Sequence, residues 1–315
     1  MTAIAFIFPG QGSQFVGMGR DLAAAFSAAR NVFEEVDDAL GERLSRIIFE
    51  GPAEELTLTS NTQPALMAVS MAAIRAFLHE AGKQLGEMAA VVAGHSLGEY
   101  SALVAAESFS VPEGAKLLRI RGDAMQRAVP PGEGAMAALL GSTIEQARTV
   151  CEEAAQGEVV GIANDNGGGQ VVISGAIGAV DRAIELSRMQ GVKRAMKLPV
   201  SAPFHSPLMA PAADAMRGAL VEAPPRSPVV PLIANVTASS VTDAVTISAN
   251  LVEQVTATVR WRESVSTMAN LGITRFIEFG AGKVLAGLVK RIAPEAEALS
   301  CGSPAELEEV LKHVL

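Results

Sequence analysis

The run Met88-Ala89-Ala90-Val91-Val92-Ala93-Gly94-His95-Ser96-Leu97-Gly98-Glu99-Tyr100-Ser101-Ala102-Leu103 decides the fold. An apolar stretch of β type enters a turn flanked by two glycines and leaves it as a helix, the setting of a G-x-S-x-G nucleophile elbow. Such a turn holds a serine strained and exposed at the end of a strand, and it aims the amide of the next residue at a developing oxyanion. Ser96 is therefore a candidate covalent nucleophile. The plainer alternative is a glycine-rich turn with an incidental serine, and the strand-turn-helix setting weighs against it.

Outward from the elbow, strands alternate with helical patterns, which argues a parallel α/β sheet. Residues 3–8 read as a buried strand running into the amide-rich loop Pro9-Gly10-Gln11-Gly12-Ser13-Gln14. Helical patterns follow at 20–40, 52–57 and 64–81, the last with Pro64 at its first position. The elbow strand (88–94), its helix and a helix at 112–127 complete this half.

The rhythm changes after Pro130-Pro131-Gly132. A strand (135–140), a helix (143–155), two strands (159–164 and 170–174), a helix (179–190) and a strand (193–199) give β-α-β-β-α-β, the split βαβ of ferredoxin-like units. An insertion over 128–198 is expected, between catalytic segments 1–127 and 199–315. The chain then returns through the proline-braced loop around His205, a helix (208–221), a strand (229–235), a helix (247–269), a strand (273–279) and the turn at Gly280 into a last helix.

At 315 residues and 49% hydrophobic content the chain can bury a sizeable core. Its 34 acidic against 25 basic residues, net −9, give no support for nucleic acid or an anionic membrane as partner. Cys151 and Cys301 stand far apart without a C-x-x-C pair, so neither a disulfide framework nor a zinc site is expected, nor any cofactor. The N-terminus lacks a basic leader, and no run of about 18 apolar residues occurs, so a cytoplasmic soluble protein is the expectation, and a monomer is expected as well.

A serine needs a base, and there are four histidines. His79 falls near a helix end and His313 in the terminal helix, and alternation along the strand turns His95 away from its neighbour. His205 remains, because imidazole best takes and returns a proton near neutral pH; a satisfied loop histidine is the alternative. Arg121 is a second anomaly, since Leu118, Arg121 and Met125 share one face at helical spacing and Arg121 points where a hydrophobe belongs. It is either a structural ion pair with a buried stem or a guanidinium fork awaiting a carboxylate.

Taken in order, Phe8-Pro-Gly-Gln-Gly-Ser-Gln, Thr62-Gln-Pro-Ala, Gly94-His-Ser-Leu-Gly-Glu-Tyr, Arg121-Gly, Ala163-Asn-Asp-Asn, Gln170-Val-Val-Ile-Ser-Gly, Phe204-His-Ser, Gln254 and Val259-Arg-Trp resemble the malonyl-CoA:acyl carrier protein transacylases across nearly the whole chain. The resemblance implies an α/β-hydrolase-like large domain with an inserted ferredoxin-like domain. It also implies ping-pong transfer of malonyl from malonyl-CoA to the phosphopantetheine thiol of holo-acyl carrier protein, in the service of fatty-acid synthesis. It assigns Ser96 as nucleophile, His205 as base, Arg121 as the malonyl-carboxylate ligand, and the backbone amides of Gln11 and Leu97 as the oxyanion hole. Gln254 would orient His205 through its backbone carbonyl, and Phe204 would select the acyl group. Gln63, Asn166 and Asn235 would line or support the pocket. Ala202-Pro-Phe-His departs at two positions from the His-Ala-Phe-His signature of malonyl-selective polyketide-synthase domains, so malonyl preference rests more on Arg121 and Phe204.

Rival readings are a serine hydrolase, an acyltransferase serving malonate decarboxylation or polyketide assembly, and a non-catalytic acyl-binding protein. A hydrolase would place an acid between the serine and a late histidine, yet Asp165 and Asp181 fall in the inserted segment. Arg182, Arg188, Lys193, Arg194 and Lys197 concentrate positive charge just before the His205 loop and form a candidate docking patch for an acidic carrier, with Lys290 and Arg291 next.

Overall fold

Alternation along the first strand sorts the core: Ile4, Phe6 and Phe8 face one layer of helices, while Ala5 and Ile7 face another. All five are buried, as a central parallel strand covered on both faces requires. The computed structural model describes residues 3–200 and 202–315. Ser201 of the His205 loop and the first two residues of the apolar N-terminal run lie outside the described residues.

The strands in chain order are β1 (Ala3–Phe8), β2 (Val91–Gly94), β3 (Gly134–Leu140), β4 (Val160–Asp165), β5 (Gln170–Ala176), β6 (Arg194–Lys197), β7 (Leu232–Ile233), β8 (Ser240–Val241), β9 (Ile273–Phe279) and β10 (Glu297–Cys301). One sheet runs β10-β9-β1-β2-β7-β8, parallel except at the β7–β8 pair. The carboxyl ends of β1, β2, β7 and β9 thus share one edge, where open α/β sheets carry their ligands. Phe6 and Phe279 of the sheet meet Phe77 of helix Thr59–Ala81 in edge-on and tilted contacts, with ring centroids 4.7 to 5.8 Å apart.

The other sheet runs β4-β5-β3-β6, antiparallel throughout, with helices Ile144–Ala155 and Ile177–Met189 packed on one face. Its β-α-β-β-α-β order is the one expected from the sequence.

Several elements differ from the sequence expectation. Helix Thr59–Ala81 begins before Pro64, which sits just past the first turn and forfeits only the bond to the Ser60 carbonyl. Leu85–Met88 is a short helix with a Gln84–Glu87 capping box, so the elbow strand starts only at Val91. The pattern at 20–40 divides at Phe26, whose extended backbone separates Arg20–Ala25 from Ser27–Leu40. The strand expected over 229–235 contracts to β7, which turns back into the unexpected β8.

The single helix expected over 247–269 is two, Ala244–Gln254 and Trp261–Asn270. Between them Val259 pairs its backbone with the second sheet, donating to Ala163 O (2.8 Å) and accepting from Asp165 N (3.0 Å). That pairing is incompatible with a continuous helix. Beyond helix Val284–Ile292, expected to be the last, the chain adds edge strand β10 and helix Pro304–Val314.

Candidate active site

β2 ends at Gly94 and the next helix begins at Leu97, so Ser96 occupies the bend, with φ 55° and ψ −112°. Both flanking glycines are forced by close approach. A Cβ on Gly94 would collide with the Gly98 carbonyl, and one on Gly98 with the carbonyls of Phe8 and Pro9. The elbow is thereby pressed against the end of β1. Asn235, just beyond β7, braces it from the other side: its Oδ1 accepts from Ser96 N (2.8 Å) and its Nδ2 donates to Gly94 O (2.7 Å).

Leu97 is the first residue of its helix, so its amide has no acceptor within the helix, and none is provided by the other described residues. The Gln11 amide in the loop after β1 is likewise without an acceptor among them, while its side chain reaches Thr59 Oγ1 (3.4 Å). Two unsatisfied amides on loops at one sheet edge are suited to an oxyanion.

His205 is buried in a left-handed backbone conformation (φ 57°). Its Nδ1 lies 2.8 Å from the backbone carbonyl of Gln254 and its Nε2 2.8 Å from Ser96 Oγ. The carbonyl can only accept, so it fixes the proton on Nδ1 and leaves Nε2 to accept from the serine hydroxyl. Gln254 closes its helix, which is why its carbonyl is uncommitted to a helical bond. Burial first, then the nearby Arg121 charge, push His205 down to about 3, so the imidazole is neutral at physiological pH. His79 and His313 are exposed. His95 turns to Asn166 Oδ1 (2.9 Å) and packs against Trp261, with no hydrogen bond to Ser96 Oγ.

Arg121, 1% exposed, is the largest charged side chain in the core. Its Nη1 donates to Gln63 Oε1 (2.8 Å) and its Nη2 to Gln254 Oε1 (2.8 Å), with Ser96 Oγ at 3.2 Å. The guanidinium sits 5.7 Å from the Tyr100 ring centroid. No carboxylate lies within ion-pair distance among the described residues, and Nε has no acceptor. Burial therefore holds its pKa below the usual range, and the fork is held by two neutral amides.

Sequence reasoning passed over Glu99, three residues after the nucleophile. It is 1% exposed and accepts from Gln254 Nε2 (2.6 Å) and Asn235 N (3.2 Å). Burial outweighs these bonds and the Arg121 charge and pushes its carboxyl up to about 7. A charged residue in the otherwise apolar helix Leu97–Ala105 was the signal for it.

These groups open on a cleft of about 840 Å³ between the two sheets. Gln11, Ser96 and Arg121 lie on one wall, and Met136, Val172 and Leu198 of the antiparallel unit on the other. Phe204, Gln63 and Asn166 line it as well, whereas Asn235 lies behind the elbow. Among the described residues no cluster could hold a metal ion and no helix is long and apolar enough to cross a membrane.

Residues 5–301 match the family described as the acyl transferase domain. The chain is 46% identical to the malonyl CoA-acyl carrier protein transacylase of Bacillus subtilis (strain 168), over 98% of this chain and 96% of that one. It is 44% identical to the protein of that name from Escherichia coli (strain K12), over 99% and 100%. Among solved structures, the acyl-carrier-protein S-malonyltransferase of Bartonella henselae superimposes with a TM-score of 0.97 at 54% identity, over 99% of both chains. A malonyl-transacylase solved with a type II polyketide acyl-carrier protein gives 0.95 at 41% identity, over 99% and 100%. With a family match across most of its length and relatives above 40% identity end to end, the chain belongs to the acyl transferase family, among the malonyl CoA-acyl carrier protein transacylases.

Proposed function

We infer that the protein transfers the malonyl group of malonyl-CoA to the phosphopantetheine thiol of holo-acyl carrier protein through a malonyl-serine intermediate, supplying fatty-acid synthesis. The observation that carries this reading is the buried Arg121 fork, with no carboxylate in direct ion-pair contact among the described residues, 3.2 Å from Ser96 Oγ. A malonyl carboxylate stands one methylene, about 2.5 Å, from the carbon to be attacked, so a fork this near the nucleophile suits a three-carbon diacid. A neutral ester would offer the guanidinium fork no anion to bind, which disfavours the hydrolase reading.

In the first half-reaction His205 Nε2 takes the Ser96 proton as Oγ bonds to the thioester carbon. The carbonyl electrons move to oxygen, facing the amides of Leu97 and Gln11. Collapse breaks the C–S bond, and His205 returns the proton to the departing CoA sulfur. In the second, the carrier thiol gives its proton to His205, attacks the acyl carbon and restores Ser96. Phe204 bounds the acyl pocket, and Gln63, Asn166 and Asn235 support it.

The division into catalytic segments 1–127 and 199–315 around an inserted 128–198 belongs to this reading, and the confinement of the antiparallel sheet to Gly134–Lys197 favours it. A cytoplasmic monomer is part of it too, in keeping with water-soluble thioester substrates. The test is intact mass after mixing with malonyl-CoA and then with holo-carrier protein. Wild type should gain one malonyl group that the carrier removes, and Ser96→Ala should gain none while keeping its fold. Stoichiometric acylation of folded Ser96→Ala would refute the assignment.

A further inference from the structure

Gln254 stands between two buried charges. Its Oε1 faces Arg121 (2.8 Å to Nη2) and its Nε2 faces Glu99 (2.6 Å to Oε2), so the amide dipole lies carbonyl toward cation and N–H toward anion. The same residue receives His205 Nδ1 on its backbone carbonyl and donates from Nε2 to the Ser96 carbonyl (3.0 Å). Glu99 also accepts from Asn235 N, the residue that braces the Ser96 amide. Its other oxygen, Oε1, is buried without a hydrogen-bond partner among the described residues.

That orphan oxygen is informative. A fully committed structural carboxylate would have both oxygens bonded, because an unsatisfied buried acceptor costs about 1–3 kcal/mol. An oxygen left open has room for a proton. Among the described residues the charged and titratable groups facing Glu99 are Arg121 from helix Val111–Arg127 and Tyr100 beside it on its own helix, with Gln254 and Asn235 contributing neutral groups from the remaining elements. Arg121 is thus the cation nearest to Glu99 among these groups, one amide away through Gln254.

Resting on the malonyl-transfer reading above, we propose that Glu99 is a positioning residue acting through Gln254: it is the counter-charge of Arg121 before substrate binds, and it takes a proton from solvent when the substrate's carboxylate occupies the fork. A second anion near the same guanidinium disfavours the first, and neutralising Glu99 at Oε1 leaves Oε2 free to keep Gln254 in place. No bond to carbon changes in this step. The charge set goes from one cation and one anion to one cation, the substrate anion and a neutral acid. A carboxyl held near neutrality is poised for such an exchange.

The test couples two readouts on the same samples, proton uptake followed with an indicator dye in weak buffer near pH 7 and acyl-enzyme stoichiometry from intact mass. Malonyl-CoA and acetyl-CoA release the same thiol, so the difference between them isolates the carboxylate. Wild type should take up about half a proton or less per malonyl-serine formed, and close to none per acetyl-serine. The uptake should fade at pH 5, where Glu99 is already protonated, and well above its raised range. Glu99→Gln should abolish it, whereas His205, held near 3, has too far to climb to supply it. Equal uptake with both acyl groups, or uptake that survives Glu99→Gln, overturns the proposal. Should that variant fail to fold, a wild-type uptake without a maximum near neutrality overturns it as well. A wild type that gains no malonyl mass sinks the functional reading and this inference together, while a malonyl-enzyme formed without proton uptake sinks the inference alone.

Discussion

Replacing Arg121 with methionine separates the two meanings of a buried arginine. Met fills much of the stem volume and is tolerated in cores, so the change removes chiefly the fork. Breaking a desolvated, hydrogen-bonded charge pair by deleting one partner costs about 3–5 kcal/mol. At about 1.4 kcal/mol per decade, kcat/KM for malonyl-CoA should fall roughly 150- to 4,000-fold. Acetyl-CoA presents no carboxylate, so its kcat/KM should change by less than about tenfold. Stability is expected to move little: a desolvated charge without a direct ion pair disappears, while the acceptors Gln63 Oε1 and Gln254 Oε1 lose their donor at about 1–3 kcal/mol each. The assay is steady-state transfer from both acyl-CoAs to one holo-carrier, with a thermal melt of the same preparation. Parallel losses for malonyl and acetyl, in a protein that still melts cooperatively, would show that Arg121 holds the fold and does not read the acyl group.

His205→Ala should slow acylation by roughly 10²–10⁴-fold, the range of a lost general base, with His79→Ala and His313→Ala near neutral; a comparable loss at either exposed site would remove the case for His205. Glu278 is fully buried on β9, accepts from the amides of Leu285 (3.2 Å) and Ala286 (2.8 Å), and is pushed by burial up to about 7. A carboxyl raised in the folded state destabilises the fold fully above that value and not at all below the unfolded carboxylate range near 4.5, a swing on the order of 3 kcal/mol. Glu278→Gln should accordingly gain stability over wild type as pH rises from 4.5 to 7; a gap in melting temperature that is flat with pH would contradict this. Of the basic cluster before the His205 loop, Arg182 pairs with Glu158 (2.6 Å) and Lys197 with Asp181 (2.6 Å), which leaves the exposed Arg188 and the adjacent exposed pair Lys193 and Arg194 to draw an acidic carrier. Reversing Lys193 and Arg194 to Glu should raise KM for the carrier several-fold at low salt and leave KM for malonyl-CoA nearly unchanged, and a salt-independent effect would place docking elsewhere.

What could be read from the chain beforehand has a physical pattern. The elbow, β1 and the β-α-β-β-α-β unit were legible because each is local: a glycine-flanked bend, a buried alternation, a rhythm of short periods. Arg121 was legible as an exception to such a rhythm. The break after Gln254 was not, since long-range backbone pairing between Val259 and β4 ends that helix and nothing in its own periodicity does. Asn235 was placed in the site by resemblance, yet its bonds to Ser96 and Gly94 span more than a hundred residues and have no local signature. Glu99 needed three-dimensional neighbours before its single charge in an apolar helix acquired meaning.

The carbonyl that orients His205 belongs to the main chain at a helix end. Every residue type presents that group, so point substitution at position 254 can alter the amide hub and still leave the imidazole oriented. A carbonyl also does not titrate, and it places no negative charge beside an incoming anionic substrate, as an aspartate in that place would. The base is thereby insulated from both pH and mutational drift, and the vulnerability moves to the helix itself: whatever unwinds its last turn, near the Val259 crossing to the second sheet, would swing the carbonyl away. Selectivity residues around the cleft are free to change while the proton-transfer geometry stays tied to the fold.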